Sequence, residues 1–166
     1  MKRNINMEMR KFKGIDVEVF PLGFGCMRLP TKGKDKKIDR PKAIEMVRHA
    51  IDEGVNYVDT AFYYHDGESE DFLGEALADG YREKVYLATK SPVYDLTEEI
   101  TFESLLETQL KRLKTDSIDF YLLHTLNKDL WENKVLKYDV LSSLKKAQAQ
   151  GKIKYIGFSF HDDLEM

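Results

Sequence analysis

Residues 55–70 read VNYVDTAFYYHDGESE, and this stretch decides how we interpret the rest of the chain. Its first four residues form a short β-type run that stops at Asp59. A polar segment containing Tyr64 follows, and a helix is predicted to begin near Ser69. Ionisable and polar side chains are therefore concentrated where a strand ends.

The same pattern recurs further along the chain. Three more apolar runs each end on an ionisable residue: residues 85–89 at Lys90, residues 119–123 at His124 and residues 155–160 at His161. The strand ends are separated by a little over thirty residues, about the length of one βαβ unit. Because the carboxyl ends of parallel strands open on one face of a barrel, we expect these residues to share one site.

Helical periodicity between the runs predicts a parallel α/β fold. The predicted helices cover residues 40–53 with Asp39 as N-cap, 69–78, 101–113 with Thr101 as N-cap, and 140–150. Alternating strands and helices fit a doubly wound sheet or a (β/α) barrel. No G-x-G-x-x-G joins a strand to a helix, so we favour a TIM (β/α)8-type barrel with only the first five or so β/α units present.

The N-terminal region and the domain organisation can also be predicted. Alternation around Gly14 in residues 11–19 predicts a β-hairpin, residues 21–30 suggest a strand, and residues 31–37 form a lysine-rich loop. At 166 residues the chain is expected to form a single domain, 1–166. Residues 1–19 would supply the N-terminal segment and hairpin, and residues 20–166 the βα units.

Composition narrows the classes of partner. The net charge of −3 and the pI near 5.9 give no basic excess, so neither nucleic acid nor a membrane surface is expected. Cys26 is the only cysteine, which favours a reducing compartment. No run approaches the roughly 18 apolar residues of a membrane span. We therefore expect a soluble, cytoplasmic protein.

Four motifs, in order, resemble the aldo-keto reductases over about residues 20–159. They are Asp59-Thr60-Ala61 followed by Tyr64, Gly67-x-Ser69-Glu70, Thr89-Lys90 at a strand end, and Leu122-Leu123-His124 at the next. The segment Gly25-Cys26-Met27-Arg28 is similar to the family's first strand end, beside the nicotinamide. Ser159 is similar to the serine that bonds the carboxamide, and the sequences around Tyr64 and Ser159 resemble the branch that contains iron–sulfur segments.

The resemblance implies an oxidoreductase that reduces aldehydes or ketones with NADPH or NADH. Its catalytic residues would be Asp59, Tyr64, Lys90 and His124. Its cofactor-binding residues would be Gly25, Cys26, Met27, Asp59 and Ser159, with no metal. The substrate would be a small carbonyl compound.

The four residue types that would be catalytic suit the reduction of a carbonyl group. Hydride addition to a carbonyl carbon leaves negative charge on the oxygen, which needs a proton donor and a positive surround. A lysine ammonium near a phenol favours the phenolate, and a carboxylate keeps that lysine charged. Tyr64 would thus be the general acid. Lys90 would favour the phenolate form of Tyr64, and Asp59 would hold Lys90 in place. His124 would orient the substrate oxygen.

Two other functions are compatible with the sequence. One is a non-catalytic, aldo-keto-reductase-like regulatory or cofactor-sensing subunit. The other is a metal-dependent hydrolase of the same fold class that uses Asp59, His65, His124 and His161. Trp131 would either line the substrate pocket or anchor the loop after His124.

The length departs from a complete barrel, which takes about 250 residues and eight strands. An incomplete barrel would leave two edges unpaired and its apolar lining partly open to water, including, according to their inward or outward phase, residues such as Val58, Leu87, Leu122 and Phe158. We therefore expect self-association through the open barrel. Alternatively, the stop after Leu164-Glu165-Met166, where a helix would begin, would make the chain a fragment of a longer protein.

Overall fold

The computed structural model describes residues 8–164, so the first seven residues of the predicted N-terminal segment lie outside it. The strands are β1 Arg10–Lys11, β2 Glu18–Val19, β3 Phe24–Gly25, β4 Thr31–Lys32, β5 Lys37–Ile38, β6 Tyr57–Asp59, β7 Tyr86–Ser91, β8 Ile118–Leu126 and β9 Ile153–Phe160. The α-helices are α1 Arg40–Asp52, α2 Ser69–Ala76, α3 Phe102–Leu113, α4 Lys128–Leu130 and α5 Val140–Ala149. Short 3₁₀ turns cover Cys26–Arg28, Arg82–Lys84 and Val93–Asp95, and α4 continues as a π-helical segment, Trp131–Leu136.

Five strands form one sheet in the order β3-β6-β7-β8-β9. Every neighbouring pair is parallel, and each strand lies beside the next one along the chain. Helices α1, α2, α3 and α5 connect these strands, as expected for successive βα units. The predicted α/β class, the parallel sheet and the number of strands are confirmed.

Helices cover the outer face of the sheet, and the inner face has a smaller hydrophobic cluster. Apolar side chains on the outer face pack with the helices in the main core, among them Val58, Leu87, Tyr121, Leu123 and Ile153. The inner face has a second, small core around Ala88 and Phe120. We expected Val58 and Leu87 to be partly open to water, and this was wrong: both are fully buried because their phase along the strand points them at the helices.

The N-terminal hairpin packs against the inner face of the sheet, near the start of β6. Strands β1 and β2 pair antiparallel, as predicted, and Val17 packs with Ala88 and Phe120. The side chain of Asn56, just before β6, accepts from the Phe20 amide at 2.7 Å and donates to the Glu18 carbonyl at 2.9 Å. These contacts join the hairpin to the sheet.

A second hairpin forms where we predicted a lysine-rich loop. Strands β4 and β5 pair antiparallel around a turn that contains Gly33, with φ +77°. The segment gave no strand signal because lysines replace the usual alternation of apolar and polar residues. Only Ile38 is buried in this pair of strands.

The helix boundaries largely follow the sequence signals. The Thr101 side chain accepts from the Ser104 amide at 3.2 Å, so the predicted cap of α3 is confirmed. Asp39 lies at the N-cap of α1, but its side chain makes no capping hydrogen bond and instead faces Lys32 at 3.8 Å. None of the helices within residues 8–164 is long and apolar enough to cross a membrane.

Strand β9 is one of the two edges of the sheet within the described residues, and β3 is the other. Register pairs Leu123 with Phe158 and Leu126 with Phe160, which places both phenylalanines on the outer face. Phe158 is 59% exposed, and no helix follows β9 within the part of the chain described. Leu122 on the inner face is half-buried, as expected for the barrel lining, and the most exposed apolar side chains of the sheet lie on the outer side of β9.

Candidate active site

Three strands and one loop bring the predicted catalytic residues together. Asp59 ends β6, Lys90 lies near the end of β7 and His124 lies near the end of β8. Register aligns Asp59 with Ala88, and Ala88 is two residues before Lys90, so both charged side chains are on the inner face. Tyr64 reaches the same place from the loop that follows β6.

Lys90 is the centre of this group and is only 7% exposed. Its Nζ donates to Asp59 Oδ1 at 2.6 Å and to the Thr60 carbonyl at 2.8 Å, and it lies 3.2 Å from the Tyr64 hydroxyl. Burial raises the pKa of Asp59, and the neighbouring Lys90 opposes that rise. The ammonium is thus fixed by two acceptors and has the phenol as its third neighbour. Sequence reasoning missed the Thr60 carbonyl because any residue type supplies one.

His124 lies on the other side of Tyr64, with ring centroids 6.2 Å apart. Burial, with lesser contributions from Lys90 and His161, lowers the pKa of His124 to about 4. Its imidazole is therefore neutral over the ordinary pH range. Its Nδ1 is buried and has no hydrogen-bond partner among the described residues.

A β-bulge immediately after His124 shapes this strand end. The register of β8 and β9 shifts between Leu123 and Leu126, and Thr125 adopts a left-handed φ of +53°. Bulges of this kind re-aim side chains and often lie beside active sites. The Thr125 amide donates to Ser159 Oγ at 2.8 Å, so the bulge also fixes Ser159.

An aromatic group beside the four residues was not predicted. Tyr94, in the turn after β7, lies 6.1 Å from both the Tyr63 ring and the His124 ring. The Tyr63 hydroxyl donates to Asp95 Oδ2 at 2.5 Å, and Tyr63 is 49% exposed. The signal that could have found Tyr94 is its place four residues after Lys90, in a loop on the same side of the sheet.

The predicted cofactor-binding residues lie at the ends of β3, β6 and β9. Gly25 is exposed, and a Cβ added there would meet nothing within 4 Å. Cys26 is fully buried, and burial raises the pKa of its thiol to about 12, whereas the side chain of Met27 is 57% exposed. Because Ser159 Oγ accepts from Thr125, its own proton is free for an acceptor. An open backbone at Gly25 and a free hydroxyl donor fit a flat ring with a carboxamide.

The remaining histidines do not join the four residues in a metal site. His65 Nε2 accepts from the Leu29 amide at 3.0 Å, which ties the loop after β6 to the turn after β3. Within residues 8–164 no three His, Cys, Asp or Glu side chains are grouped to hold a metal ion. The metal-dependent hydrolase therefore lacks a ligand group in the described chain. Trp131 packs against the main core, which favours an anchor for its loop.

Known proteins with similar sequences belong to one family. Residues 21–166 match the Aldo/keto reductase family. Methylglyoxal reductase YeaE of Escherichia coli K12 is 32% identical over 162 residues, 98% of this chain and 52% of the relative. The protein named 'Probable aldo-keto reductase 1' of Glycine max is 35% identical over 150 residues, 86% of this chain and 42% of the relative. The chain thus spans about half the length of the curated relatives it matches.

Solved structures give the same result for the fold. The holo form of aldo-keto reductase AKR11C1 from Bacillus halodurans superposes with a TM-score of 0.74 at 30% identity, covering 93% of this chain and 50% of that chain. A Klebsiella pneumoniae aldo-keto reductase in complex with NADPH has a TM-score of 0.72 at 30% identity, covering 89% of this chain and 48% of that chain. Sequence, sheet order and strand-end chemistry therefore agree that this chain belongs to the aldo/keto reductase family.

Proposed function

We propose that the protein reduces small aldehydes or ketones with a nicotinamide cofactor, NADPH or NADH. The observation that carries this proposal is the position of Lys90 Nζ, 2.6 Å from Asp59 Oδ1 and 3.2 Å from the Tyr64 hydroxyl. A buried ammonium between a carboxylate and a phenol suits proton donation to an oxygen that gains negative charge. NADPH in the Klebsiella pneumoniae relative supports the choice of cofactor.

In the proposed mechanism each side chain has one task. The Tyr64 hydroxyl gives its proton to the carbonyl oxygen, and Lys90 stabilises the resulting phenolate. His124, neutral because its pKa is lowered to about 4, donates a hydrogen bond from Nε2 to the same oxygen and so orients it. Asp59 holds Lys90 in place through its carboxylate, 2.6 Å from Nζ. When bound, the reduced nicotinamide supplies the hydride.

The cofactor would lie over the ends of β3 and β9. The exposed Gly25 and Met27 offer it a surface, and the Ser159 hydroxyl offers its carboxamide a donor. Cys26 contributes its backbone only, since its thiol is buried. Asp59 would border the ring through its place beside Lys90.

The name of the Escherichia coli relative suggests methylglyoxal as the first substrate to test. The Tyr94 ring lies 6.1 Å from His124 and 6.1 Å from the Tyr63 ring, so both tyrosines would be near enough to pack against the substrate's carbon chain. Membership of the iron–sulfur branch rests only on the sequence around Tyr64 and Ser159. The single cysteine supports the cytoplasm as the location.

The decisive substitution is Tyr64→Phe, which removes the proton donor and keeps the ring. We expect the turnover of methylglyoxal, measured as NADPH oxidation, to fall by about 100-fold or more. NADPH binding, measured by calorimetry, should be unchanged. Tyr81→Phe is the matched control, because the Tyr81 hydroxyl bonds Asp52 on α1, away from the site.

Two results would count against the proposal. Equal turnover in the Tyr64→Phe and wild-type proteins would exclude Tyr64 as the general acid. NADPH binding without turnover of any small aldehyde or ketone by the wild-type chain would favour the regulatory or cofactor-sensing alternative.

We also propose that the exposed outer face of β9 mediates self-association with a second copy of the chain. The strand edge and the exposed Phe158 and Phe160 support this proposal, because unpaired edges and apolar patches attract further chains.

A further inference from the structure

A buried carboxylate that the proposed mechanism does not use lies behind the catalytic lysine. Glu70, in the first turn of α2, is fully buried. Its Oε1 accepts from Thr89 Oγ1 at 2.7 Å and from Gln109 Nε2 at 2.5 Å. Its Oε2 lies 3.4 Å from Arg112 Nη1. Glu70 thus links α2 to strand β7 and to helix α3.

Gln109 extends this link to the backbone of Lys90. Its Nε2 donates to the Lys90 carbonyl at 3.1 Å as well as to Glu70. Its Oε1 accepts from the Tyr121 hydroxyl at 2.6 Å. Gln109 and Tyr121 are both fully buried, so solvent cannot replace these bonds. The amide of Gln109 is therefore held in one orientation by partners at both ends.

The charge of Glu70 is costly at this position. Burial raises its pKa, and the donors Gln109, Thr89 and Arg112 oppose that rise. A buried carboxylate is tolerated only when hydrogen bonds and a cation offset its desolvation. The groups held in place by these bonds are the Thr89 hydroxyl and the Lys90 carbonyl, at the end of β7.

We propose that Glu70 and Gln109 are positioning residues for Lys90. They fix the β7 backbone from the helix side, so that the lysine side chain on the opposite face points its Nζ between Asp59 and Tyr64. This inference rests on the proposed function, because a fixed Lys90 matters for proton transfer only in the reductase. It adds two residues from outside the four that the sequence motifs single out as catalytic.

The test measures the accessibility of Lys90 directly. Wild-type protein and the Glu70→Gln and Gln109→Met variants are treated with limiting acetic anhydride. The acetylation of Lys90 is measured by mass spectrometry relative to Lys32, whose side chain is 64% exposed and far along the chain. Leu73→Ala is the control, because Leu73 is fully buried on α2 and makes none of these hydrogen bonds.

We expect both variants to raise the Lys90 to Lys32 acetylation ratio about 10-fold, since each removes a charge-assisted or buried hydrogen bond from the end of β7. Leu73→Ala should leave the ratio within about 2-fold after correction for its lower stability. Glu70→Gln should also lower kcat for methylglyoxal more than it raises KM, and Leu73→Ala should not.

The outcomes separate the inference from the proposed function. An unchanged ratio in both variants, or an equal rise in Leu73→Ala, would overturn the positioning role even if the wild-type protein reduces methylglyoxal. A raised ratio in both variants, with no carbonyl turnover by the wild-type protein, would support the positioning of Lys90 and refute the reductase proposal.

Discussion

At the scale of single residues, the site depends on the hydrogen bonds that the buried ammonium of Lys90 makes in place of water. Lys90 is 7% exposed, and its three neighbours replace the water it loses. An uncompensated charge at this depth would be expensive. Removing the Asp59 carboxylate would therefore leave the ammonium without one of its acceptors and lower the stability of the site.

The lowered pKa of His124 predicts a specific pH dependence of stability. Its folded value of about 4 lies below the ordinary 6.5, so the unfolded chain binds the proton first as the pH falls. The contribution of His124 to the unfolding free energy is fully present above pH 6.5, decreases from there to about pH 4 and is constant below that. The unfolding free energy, measured in urea, should decrease less in His124→Gln than in the wild-type protein as the pH falls from 6.5 to about 4.

The same value can be measured directly by following the ring C2 proton of His124 by NMR. A midpoint near 6.5, the ordinary value, would contradict the burial of this imidazole and with it the role of a neutral donor.

At the scale of elements, helices α2 and α3 approach each other closely at Gly74. A Cβ built on Gly74 would lie 2.6 Å from the Arg112 carbonyl oxygen and 2.9 Å from that of Leu113. Both obstacles are backbone atoms, which cannot rotate away. This contact fixes α3, and therefore Gln109, against α2.

Gly74→Ala should therefore destabilise the protein although alanine is the better helix former by about 1 kcal/mol. We expect the unfolding free energy in urea to fall by about 1–3 kcal/mol, the usual cost of an overpacked core. Gly25→Ala is the control, since its added Cβ would meet nothing within 4 Å. A Gly74→Ala protein more stable than wild type would show that the helices can separate at no cost.

At the scale of the whole molecule, the covered and uncovered parts of the sheet differ sharply. Four strands have their outer faces packed against helices, whereas β9 exposes Ile156 by 41% and Phe158 by 59%. Alternate residues of β9 point to the two faces of the sheet, so these side chains form one apolar row. Such a row beside an unpaired strand edge favours association.

We expect sedimentation equilibrium to show concentration-dependent self-association of the wild-type chain. Phe158→Lys should shift it to the monomer without lowering the unfolding free energy, because the side chain is 59% exposed. Leu22→Lys also replaces an exposed apolar side chain by lysine, at a 62% exposed residue outside β9, and should leave association unchanged. A wild-type protein that stays monomeric at high concentration would exclude association through β9.

The sequence by itself determined the order of the five parallel strands and of the four helices that connect them, the Thr101 cap and the family. These depend on local signals: apolar periodicity, capping residues, and motifs such as Asp59-Thr60-Ala61 that need no knowledge of contacts. It could also predict that Asp59, Lys90 and His124 share one end of the sheet, because each follows an apolar run.

Only the tertiary structure decided which side chains touch and which face of each strand is covered. The phase of Val58 and Phe158 depends on register between strands, which a one-residue shift would reverse. The contact between Glu70 and Gln109 joins residues 39 positions apart, and the Thr60 carbonyl has no side-chain signature. Long-range packing and backbone acceptors carry no local pattern, so the network around Lys90 became visible only in the folded chain.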